Sequence, residues 1–299
     1  MTTTRIGTRG SPLALWQANH VKGRLESLGQ AVEIRTITTM GDRLLDRRLE
    51  AVGGKGAFLK EIEEALLAGE VDLAVHSLKD VPTQLPPGLM LCAFLERADP
   101  RDALFSLSGA GLDALPKGAR LGTTSLRRQS QLRARRPDLV VAELRGNVDT
   151  RLRRLHEGAF DAILLAVAGV TRLGRAAEIT EVLDPDVLLP APGQGAIALE
   201  CRADDERVRA AIAPLHHEPT ARAVSTERAF LAALGGGCNV PLGALAEGAG
   251  GGLRLRAFVG REDGTAWLRS ESQGPDPEGL GRVVAEDLLS RGAGAFLGR

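Results

Sequence analysis

Residues 71–80 read Val-Asp-Leu-Ala-Val-His-Ser-Leu-Lys-Asp, a short apolar run followed by a polar cluster. The apolar run predicts a buried strand, and the prolines that begin at Pro82 predict a loop after it. Open α/β sheets bind ligands beyond the carboxyl ends of their strands. Ser77, Lys79 and Asp80 are therefore candidate ligand-binding residues. Asp80 is also a candidate catalytic acid, with a surface ion pair to Lys79 as the alternative interpretation.

The chain before this stretch alternates between strand and helix patterns. Ser11-Pro12 is a capping residue followed by a first-turn proline, and Gly29 suits the end of the same helix. A glycine-rich stretch at residues 51–57 precedes the next helix. The predicted elements are strands near residues 5–8, 32–34 and 71–76 and helices near 12–28 and 58–67.

A second unit repeats this pattern from about Asp99. Two α/β units in tandem predict a cleft between them, and the proline-stiffened segment 188–199 predicts a crossover strand that returns to the first unit. From about Thr220 the pattern changes to that of a small α+β domain. The predicted elements after Asp99 are strands near residues 120–123, 139–144, 160–167 and 253–259 and helices near 125–135, 148–155 and 277–289.

The composition excludes several classes of protein. The 299-residue chain is 43% hydrophobic and 25% charged, which is typical of folded globular domains and not of disordered or coiled-coil chains. Its 38 basic and 38 acidic residues cancel, which argues against a general nucleic-acid or anionic-membrane binder. No apolar run reaches about 18 residues and the amino-terminal segment lacks a signal-peptide core, so we expect an unexported, cytoplasmic protein.

The three cysteines, Cys92, Cys201 and Cys238, lie far apart in the sequence. Their odd number and wide spacing fit neither a disulfide framework nor a metal site, and they indicate a reducing compartment. Cys92 and Cys201 are expected to be buried and structural. Cys238 follows three glycines, which favour an accessible thiol.

Arginine is concentrated in residues 120–154, which contain ten arginines and only three acidic residues. Arg127 and Arg128 follow the sequence Gly-Thr-Thr-Ser (122–125) at a predicted helix start, where backbone N–H groups and the helix dipole favour anions. We favour ligand contact for these two and for Arg145 and Arg151. Solvated helix surfaces are favoured for five further arginines, which are Arg133, Arg135, Arg136, Arg153 and Arg154. RNA is an alternative ligand, but the segment has no aromatic residue to stack on bases, so a small polyanion is favoured.

Two glycine motifs do not support a nucleotide-binding enzyme. The Gly53-Gly-Lys-Gly56 stretch lacks the preceding glycine and the following hydroxyl that a Walker A loop requires. The Gly193-Gln-Gly195 stretch follows prolines and leads into a predicted strand, whereas a dinucleotide fingerprint leads into a helix.

Seven motifs, taken in order, resemble the porphobilinogen deaminase (hydroxymethylbilane synthase) family. They are TRGSPLALWQ (8–17), VGGKG (52–56), HSLKDVP (76–82), GTTSLRR (122–128), LRGNV (144–148), PGQG (192–195) and GCNVP (237–241). The resemblance covers essentially the whole chain. It implies a transferase of porphyrin biosynthesis that condenses four porphobilinogen molecules on a covalent dipyrromethane primer, with loss of ammonia. Hydrolysis would then release the linear tetrapyrrole hydroxymethylbilane.

The resemblance also implies an α/β architecture. Two periplasmic-binding-protein-like α/β domains would form a cleft, and a small C-terminal α+β domain would carry the cofactor. The implied domains are residues 1–98 completed by the crossover segment 195–216, residues 99–194, and residues 217–299. The family further implies a monomer whose partners are porphobilinogen and the growing linear polypyrrole, with no nucleic acid and no membrane.

Roles of individual residues follow from the resemblance. Cys238 would hold the dipyrromethane through a thioether, and Asp80 would stabilise developing positive charge and assist proton transfer. The implied cofactor-binding residues are Cys238, Ser77, Lys79, Asp80, Thr123, Ser125, Arg127, Arg128 and Arg145. The implied substrate-binding residues are Arg9, Ser11, Gln17, Lys55, Phe58, Arg151, Arg172 and Gln194.

Three further points accompany the resemblance. Lys55 and Phe58 belong to an expected flap, in which Ala51 replaces a residue that is often basic in the family. No metal is expected. The alternative from another class is a non-catalytic, two-lobed small-anion-binding protein, because the same fold serves that role. Cys238 separates the two, since a binding protein has no need of a covalently loaded thiol.

Overall fold

The computed structural model describes residues 3–43, 59–235 and 240–297. Lys55, Phe58 and Cys238 lie outside these ranges, as does the glycine-rich stretch at 51–57, so what was predicted for them stays a prediction.

By its internal contacts the chain divides into two compact units. Unit 1 comprises Met1–Ala98 and Ala196–Ala221, and unit 2 comprises Asp99–Gly195 and Arg222–Arg299. The finer, three-domain division expected from the sequence stays a prediction.

The described residues form short strands and helices. The strands are β1 (Thr4–Thr8), β2 (Val32–Thr36), β3 (Leu73–Ser77), β4 (Leu89–Phe94), β5 (Asp102–Ser106), β6 (Arg120–Gly122), β7 (Val140–Ala142), β8 (Ala162–Ala166), β9 (Glu181–Val182), β10 (Ile197–Arg202), β11 (Leu242–Ala249), β12 (Gly252–Gly260) and β13 (Trp267–Gly274). The α-helices are α1 (Pro12–Ser27), α2 (Met40–Arg43), α3 (Lys60–Leu67), α4 (Leu126–Arg135), α5 (Val148–His156), α6 (Val167–Arg172), α7 (Glu206–Ile212), α8 (Glu218–Ala233) and α9 (Pro277–Ser290). None of these helices is long and apolar enough to cross a bilayer.

Unit 1 contains a five-stranded sheet in the order β2-β1-β3-β10-β4. Strand β1 is parallel to β2 and β3, whereas β10 is antiparallel to β3 and β4. The main core joins Ile6, Leu73 and Leu199 of the sheet to Val21 and Leu25 of α1. The strand after the proline-stiffened segment therefore belongs to the sheet of unit 1.

Helix α1 begins and ends where the sequence predicts. The Oγ of Ser11 accepts a hydrogen bond from the backbone N of Ala14 at 3.3 Å, and Pro12 is the first helical residue. Gly29 follows the helix with φ +80°, a left-handed conformation that glycine adopts without steric cost. These local signals place Ser11 at the start of the helix, directly after β1.

The two described cysteines differ in burial. Cys201 is fully buried, as predicted, but Cys92 is only half-buried. The register between β4 and β10 shifts at Leu199, which pairs with Ala93, while the next residue along β10 pairs with Leu91. Cys92 is the extra residue of this irregularity, and its Sγ donates to the backbone oxygen of Leu199 at 3.1 Å. The prediction of a buried Cys92 is therefore wrong, because the sequence does not reveal the register shift.

Unit 2 contains a second five-stranded sheet, in the order β7-β6-β8-β5-β9. Strand β6 is parallel to β7 and β8, and β5 runs antiparallel to β8. Apolar side chains such as Leu104, Leu121 and Leu164 fill one core cluster, and Phe105, Leu152 and Ile163 fill a second.

The C-terminal part of unit 2 forms the antiparallel sheet β11-β12-β13, which packs with α9. Leu189 packs against this sheet at Leu245 and Phe258. The approach is close, because a Cβ added to Gly243 would lie 2.9 Å from the backbone oxygen of Leu189. Two five-stranded α/β units and a small sheet with a helix confirm the predicted fold class.

Candidate functional site

In unit 1 the parallel arrangement of β1 and β3 brings two polar segments to one edge of the sheet. Strand β1 ends at Thr8, so Arg9 and Ser11 follow at its carboxyl end. Strand β3 ends at Ser77, and a 3₁₀ turn over Leu78–Asp80 follows it. We call this group of residues the unit 1 edge. Its members are Arg9, Ser11, Gln17, Ser77, Lys79 and Asp80.

A hydrogen bond between side chains joins the two segments of the unit 1 edge. Gln17 is buried in α1, and its Nε2 donates to the Oγ of Ser77 at 2.8 Å. Because this oxygen accepts, the Ser77 hydroxyl can donate its own proton to a further group. Gln17 therefore orients Ser77, a role that the sequence pattern does not reveal.

Lys79 and Asp80 are both half-buried at this edge. Their place directly after β3 agrees with the rule that open α/β sheets bind ligands beyond strand ends. His76, one residue before the strand ends, pairs with buried Glu200 of β10, with His76 Nε2 2.8 Å from Glu200 Oε2. This buried pair joins β3 to β10 immediately before the polar turn.

Unit 2 repeats this arrangement. The carboxyl ends of β6, β7 and β8 meet at one edge because the three strands are parallel, and β5 begins at the same edge because it runs the opposite way. We call the polar residues there the unit 2 edge. Its members are Asp102, Thr123, Ser125, Arg127, Arg128, Arg145, Arg151, Arg172 and Gln194.

Asp102 is the centre of this edge, and sequence reasoning did not identify it. It is fully buried at the start of β5. Its Oδ2 accepts from Nη1 of Arg127 at 2.6 Å, and its Oδ1 accepts from Nη2 of Arg128 at 2.6 Å. Gln194 is a third donating residue, with Nε2 3.0 Å from Oδ1.

Electrostatics keep the Asp102 carboxylate ionised. Burial alone raises the pKa of a carboxyl group, but the charges and hydrogen bonds of Arg127 and Arg128 outweigh it and hold the pKa of Asp102 far below its usual value. Burial also lowers the pKa of Arg127, which Asp102 partly offsets. Two guanidinium groups thus share one carboxylate, and the cluster carries a formal charge of about +1.

Arg127 and Arg128 were predicted to contact ligand, and the structure places both side chains around Asp102, each only 5% exposed. Arg127 Nη1 also donates to the backbone oxygen of Leu189 at 2.7 Å, and Arg128 Nη1 donates to that of Leu164 at 2.8 Å. No described residue accepts from the buried Nε of Arg127. Ligand contact by these two residues stays a prediction.

Thr123 and Ser125 form the turn between β6 and α4. Thr123 is buried, and its Oγ1 accepts from the backbone N of Ser125 at 3.2 Å. Ser125 occupies the capping position of α4, yet its hydroxyl makes no capping hydrogen bond with any described residue. The hydroxyl of Ser125 and the first N–H groups of α4 lie at the same helix end, which favours an anion.

Arg145 and Arg151 flank a tight turn at the start of α5. Asn147 caps the helix by accepting from the backbone N of Thr150 at 2.9 Å, and Arg151 Nε donates to the backbone oxygen of Gly146 at 2.8 Å. Arg145 is half-buried, and one of its Nη atoms lies 3.5 Å from Glu143. The turn therefore keeps both arginines near the carboxyl end of β7.

Arg172 ends α6, which follows β8 directly. Its Nη2 donates to the backbone oxygen of Gly195 at 2.7 Å, and burial lowers the pKa of its guanidinium to about 10. A carboxylate brought close to Arg172 would offset this desolvation.

Other arginines of the basic segment pair with acidic residues, some of them outside it. Arg135 lies 2.7 Å from Asp113, and Arg153 lies 2.7 Å from Glu157, with exposed side chains in both pairs. Arg135 and Arg153 solvate helix surfaces, as predicted. The same prediction is wrong for Arg136, whose side chain is largely buried and donates to the backbone oxygens of Leu112 and Leu115. Because Asp102, Asp113 and Glu157 all lie outside residues 120–154, the excess positive charge is smaller than the segment alone suggests.

The donor set of the unit 2 edge fits a ligand with several carboxylates. It combines a buried cluster of net positive charge, an unmatched Nε–H on Arg127, a desolvated Arg172 and an uncapped helix start at Ser125. The unit 1 edge, taken by itself, has Arg9 and Lys79 as cations and Asp80 as the only carboxylate among its named members. Cationic groups of this kind suit anion binding, and a carboxylate beside them suits stabilisation of developing positive charge.

Comparison with known proteins identifies matches along the whole chain. Residues 4–210 match the family model described as "Porphobilinogen deaminase, dipyromethane cofactor binding domain", and residues 221–290 match "Porphobilinogen deaminase, C-terminal domain". A relative named porphobilinogen deaminase from Roseiflexus sp. (strain RS-1) is 54% identical over 299 residues, covering 99% of this chain and 98% of its own. One of the same name from Stenotrophomonas maltophilia (strain K279a) is 53% identical over 301 residues, covering 99% of both chains.

Solved structures give more distant similarity. A periplasmic substrate-binding protein of an ABC transporter from Coxiella burnetii is 17% identical with a TM-score of 0.44, covering 75% of this chain and 96% of its own. A periplasmic sulfonate-binding protein from Methylobacillus flagellatus KT is 14% identical with a TM-score of 0.40, covering 76% and 67%.

Proposed function

The chain belongs to the porphobilinogen deaminase family, and on that premise we propose that it acts as a hydroxymethylbilane synthase, a transferase of porphyrin biosynthesis. Four porphobilinogen molecules would be joined in sequence with release of ammonia, and hydrolysis would release linear hydroxymethylbilane. The observation that carries the proposal is the match to relatives of that name over 99% of the chain. A non-catalytic small-anion-binding protein is not favoured, because the match to these enzymes includes both parts of the family.

The dipyrromethane cofactor of this family would be held by residues of the sequence motifs that carry the resemblance. We assign its thioether to Cys238, which lies outside the described residues, and its carboxylates to Ser77, Lys79, Thr123, Ser125, Arg127, Arg128 and Arg145. The unmatched buried Nε–H of Arg127 supports this assignment, since a buried donor costs free energy until an acceptor reaches it. When bound, the dipyrromethane supplies the primer to which porphobilinogen units are added.

Asp80 would act on the porphobilinogen that reacts. Loss of ammonia leaves an electron-poor methylene group on the pyrrole, and a carboxylate held close by stabilises that developing charge. The same side chain would assist proton transfer to the departing amine. Its place in the turn that directly follows β3 supports this role, because open α/β sheets bind ligands beyond the carboxyl ends of their strands.

Positive and hydroxyl groups would bind the acidic side chains of substrate and growing chain. Every pyrrole unit carries an acetate and a propionate, so the number of carboxylates rises with each addition. We propose binding by Arg9, Ser11, Gln17, Arg151, Arg172 and Gln194 and by the flap residues Lys55 and Phe58. Guanidinium groups suit the task because they bind carboxylates with two parallel hydrogen bonds.

We also propose that the protein acts in the cytoplasm as a monomer, without nucleic-acid or membrane partners. Zero formal net charge supports the absence of nucleic-acid and membrane partners, since it provides no general attraction to polyanionic surfaces.

The test combines mass measurement with turnover. The intact protein and its Cys238 peptide should carry the mass of two linked pyrrole units, and the wild type should convert porphobilinogen to hydroxymethylbilane. Asp80→Asn should keep the fold and the added mass but lose turnover by at least about 100-fold, the usual scale of general acid catalysis. Glu26→Gln, an exposed carboxylate on α1, is the matched control and should behave like the wild type.

Two results would contradict the proposal. Near-normal product formation by Asp80→Asn would remove Asp80 from the catalytic role. An unmodified Cys238 and no turnover, in protein produced with a full cofactor supply, would favour the binding protein instead.

A further inference from the structure

A short segment of unit 2, Leu189–Gly195, supports three residues of the unit 2 edge through its own polar atoms. The backbone oxygen of Leu189 accepts from Arg127 at 2.7 Å, and that of Gly195 accepts from Arg172 at 2.7 Å. Between them, Gln194 donates to Asp102 at 3.0 Å. We call Leu189–Gly195 the support segment, because the positions of these charged groups depend on it.

The support segment is itself held by Glu227, a fully buried residue of α8. Glu227 Oε2 accepts from the backbone N of Gly193 at 2.6 Å, and Oε1 accepts from the backbone N of Ala246 in β11 at 2.9 Å. A second link runs from the backbone N of Ala244 to the oxygen of Pro190 at 3.0 Å. The buried carboxylate thus joins the centre of the support segment to β11.

The two contacts with Gly193 and Ala246 suit a carboxylate. Each of them is made by a backbone N–H donor, so each oxygen of the side chain accepts from one of them. A glutamine of the same shape would place its NH2 group against one N–H donor and leave that donor without an acceptor, which is costly in a buried position. The side chain at residue 227 therefore decides whether both links exist together.

We propose that Glu227 is a positioning residue for carboxylate binding at the unit 2 edge. It acts through Gly193 and the support segment on Arg172, Arg127 and Asp102. This inference rests on the proposed function, because the carboxylates concerned are those of the substrate and of the growing chain. Loss of one link lets the support segment shift relative to β11, and the guanidinium groups that it holds shift with it.

The first experiment compares Glu227→Gln with Glu286→Gln, which alters an exposed carboxylate on α9 of the same unit. Each purified variant is measured for thermal unfolding, for the added mass on Cys238, and for kcat and KM with porphobilinogen. We expect Glu227→Gln to retain the added mass and to raise KM about tenfold or more, while Glu286→Gln changes KM less than twofold. A purely structural role would lower Tm and leave KM of the folded protein unchanged, which would refute the inference.

A double-mutant cycle tests the route through the support segment. Arg172→Lys keeps the charge but loses the guanidinium geometry that reaches Gly195. If Glu227 acts through this contact, the double variant should lose little more kcat/KM than the more damaged single variant. Losses that multiply, as for independent sites, would refute the route.

Two further measurements keep the outcome decisive. If Glu227→Gln fails to fold, Glu227→Asp is measured in the same way, since it keeps the charge but is too short to reach both N–H groups. Unfolding of both variants would make Glu227 a folding residue and overturn the positioning role.

Wild-type turnover in the same assay separates this inference from the proposed function. An inactive wild type contradicts the proposed function. An active wild type, together with a Glu227→Gln variant whose KM is unchanged, contradicts only this inference.

Discussion

Asp102→Asn tests the buried charge cluster most directly. The carboxylate has no exposed surface and accepts from Arg127 Nη1 at 2.6 Å and from Arg128 Nη2 at 2.6 Å and Nε at 3.2 Å. Asparagine keeps the size of the side chain but removes its charge. Removing one partner of a buried ion pair costs about 3–5 kcal/mol, because the other charge stays buried without compensation. Here two cations lose the same partner, so we expect a loss of about 5 kcal/mol, at the upper end of that range.

The free energy of unfolding is measured by urea titration near neutral pH. Because the charges of Arg127 and Arg128 hold the pKa of Asp102 far below its ordinary range, the wild-type carboxylate stays ionised across mildly acidic and neutral pH, and the loss should not vary with pH there. Asp113→Asn is the matched control. Its partner Arg135 lies 2.7 Å away, but both side chains are exposed, so its loss should be about 0–1 kcal/mol.

Equal losses in the two variants would refute the reasoning, since they would mean that burial adds nothing to the value of the pair. A change in the denaturant slope, with the midpoint unchanged, would also contradict it, because that result reports a change in the exposed surface instead of in stability.

Two further predictions concern a turn and a pH dependence. Gly146→Ala should lower both Tm and kcat/KM, because the φ of Gly146 is +111° and the added Cβ would lie 2.7 Å from Thr150 Cγ2. Gly158→Ala is the control, since Gly158 has φ +75° but open space around the added Cβ. It should lower Tm less and leave kcat/KM unchanged. Burial raises the pKa of Asp72, but hydrogen bonds and charge from Arg5 outweigh it and lower the pKa from 3.8 to about 2. Because the pKa of Asp72 is lower in the folded state, its ionisation stabilises the fold above about pH 4, and this contribution is lost as the pH falls towards about 2. Asp72→Asn lacks this contribution, so its Tm should decline less steeply than that of the wild type between about pH 5 and 2. An equally steep decline in Asp72→Asn would count against this source.

Much of the local structure could be predicted from neighbouring residues. The cap at Ser11, the stop at Gly29 and the helix that begins at Pro277 depend on side chains within a few positions, and all three are observed. Ser77 and Asp80 could likewise be predicted at a sheet edge, because they come directly after an apolar strand pattern. These signals are readable because hydrogen bonding in a turn or helix end joins residues that are close in sequence.

The alternation of strands and helices, the family and the residue types available for binding carboxylates could all be read from the sequence. Which arginines are paired with buried carboxylates depends on the three-dimensional fold. Asp102 is 25 residues from Arg127, and they meet because β5 enters the sheet antiparallel to β8 and starts at the edge where the parallel strands end. Glu227 likewise reaches Gly193 across 34 residues. Burial and pairing depend on strand order and chain crossing, and no pattern of neighbouring residues contains that information.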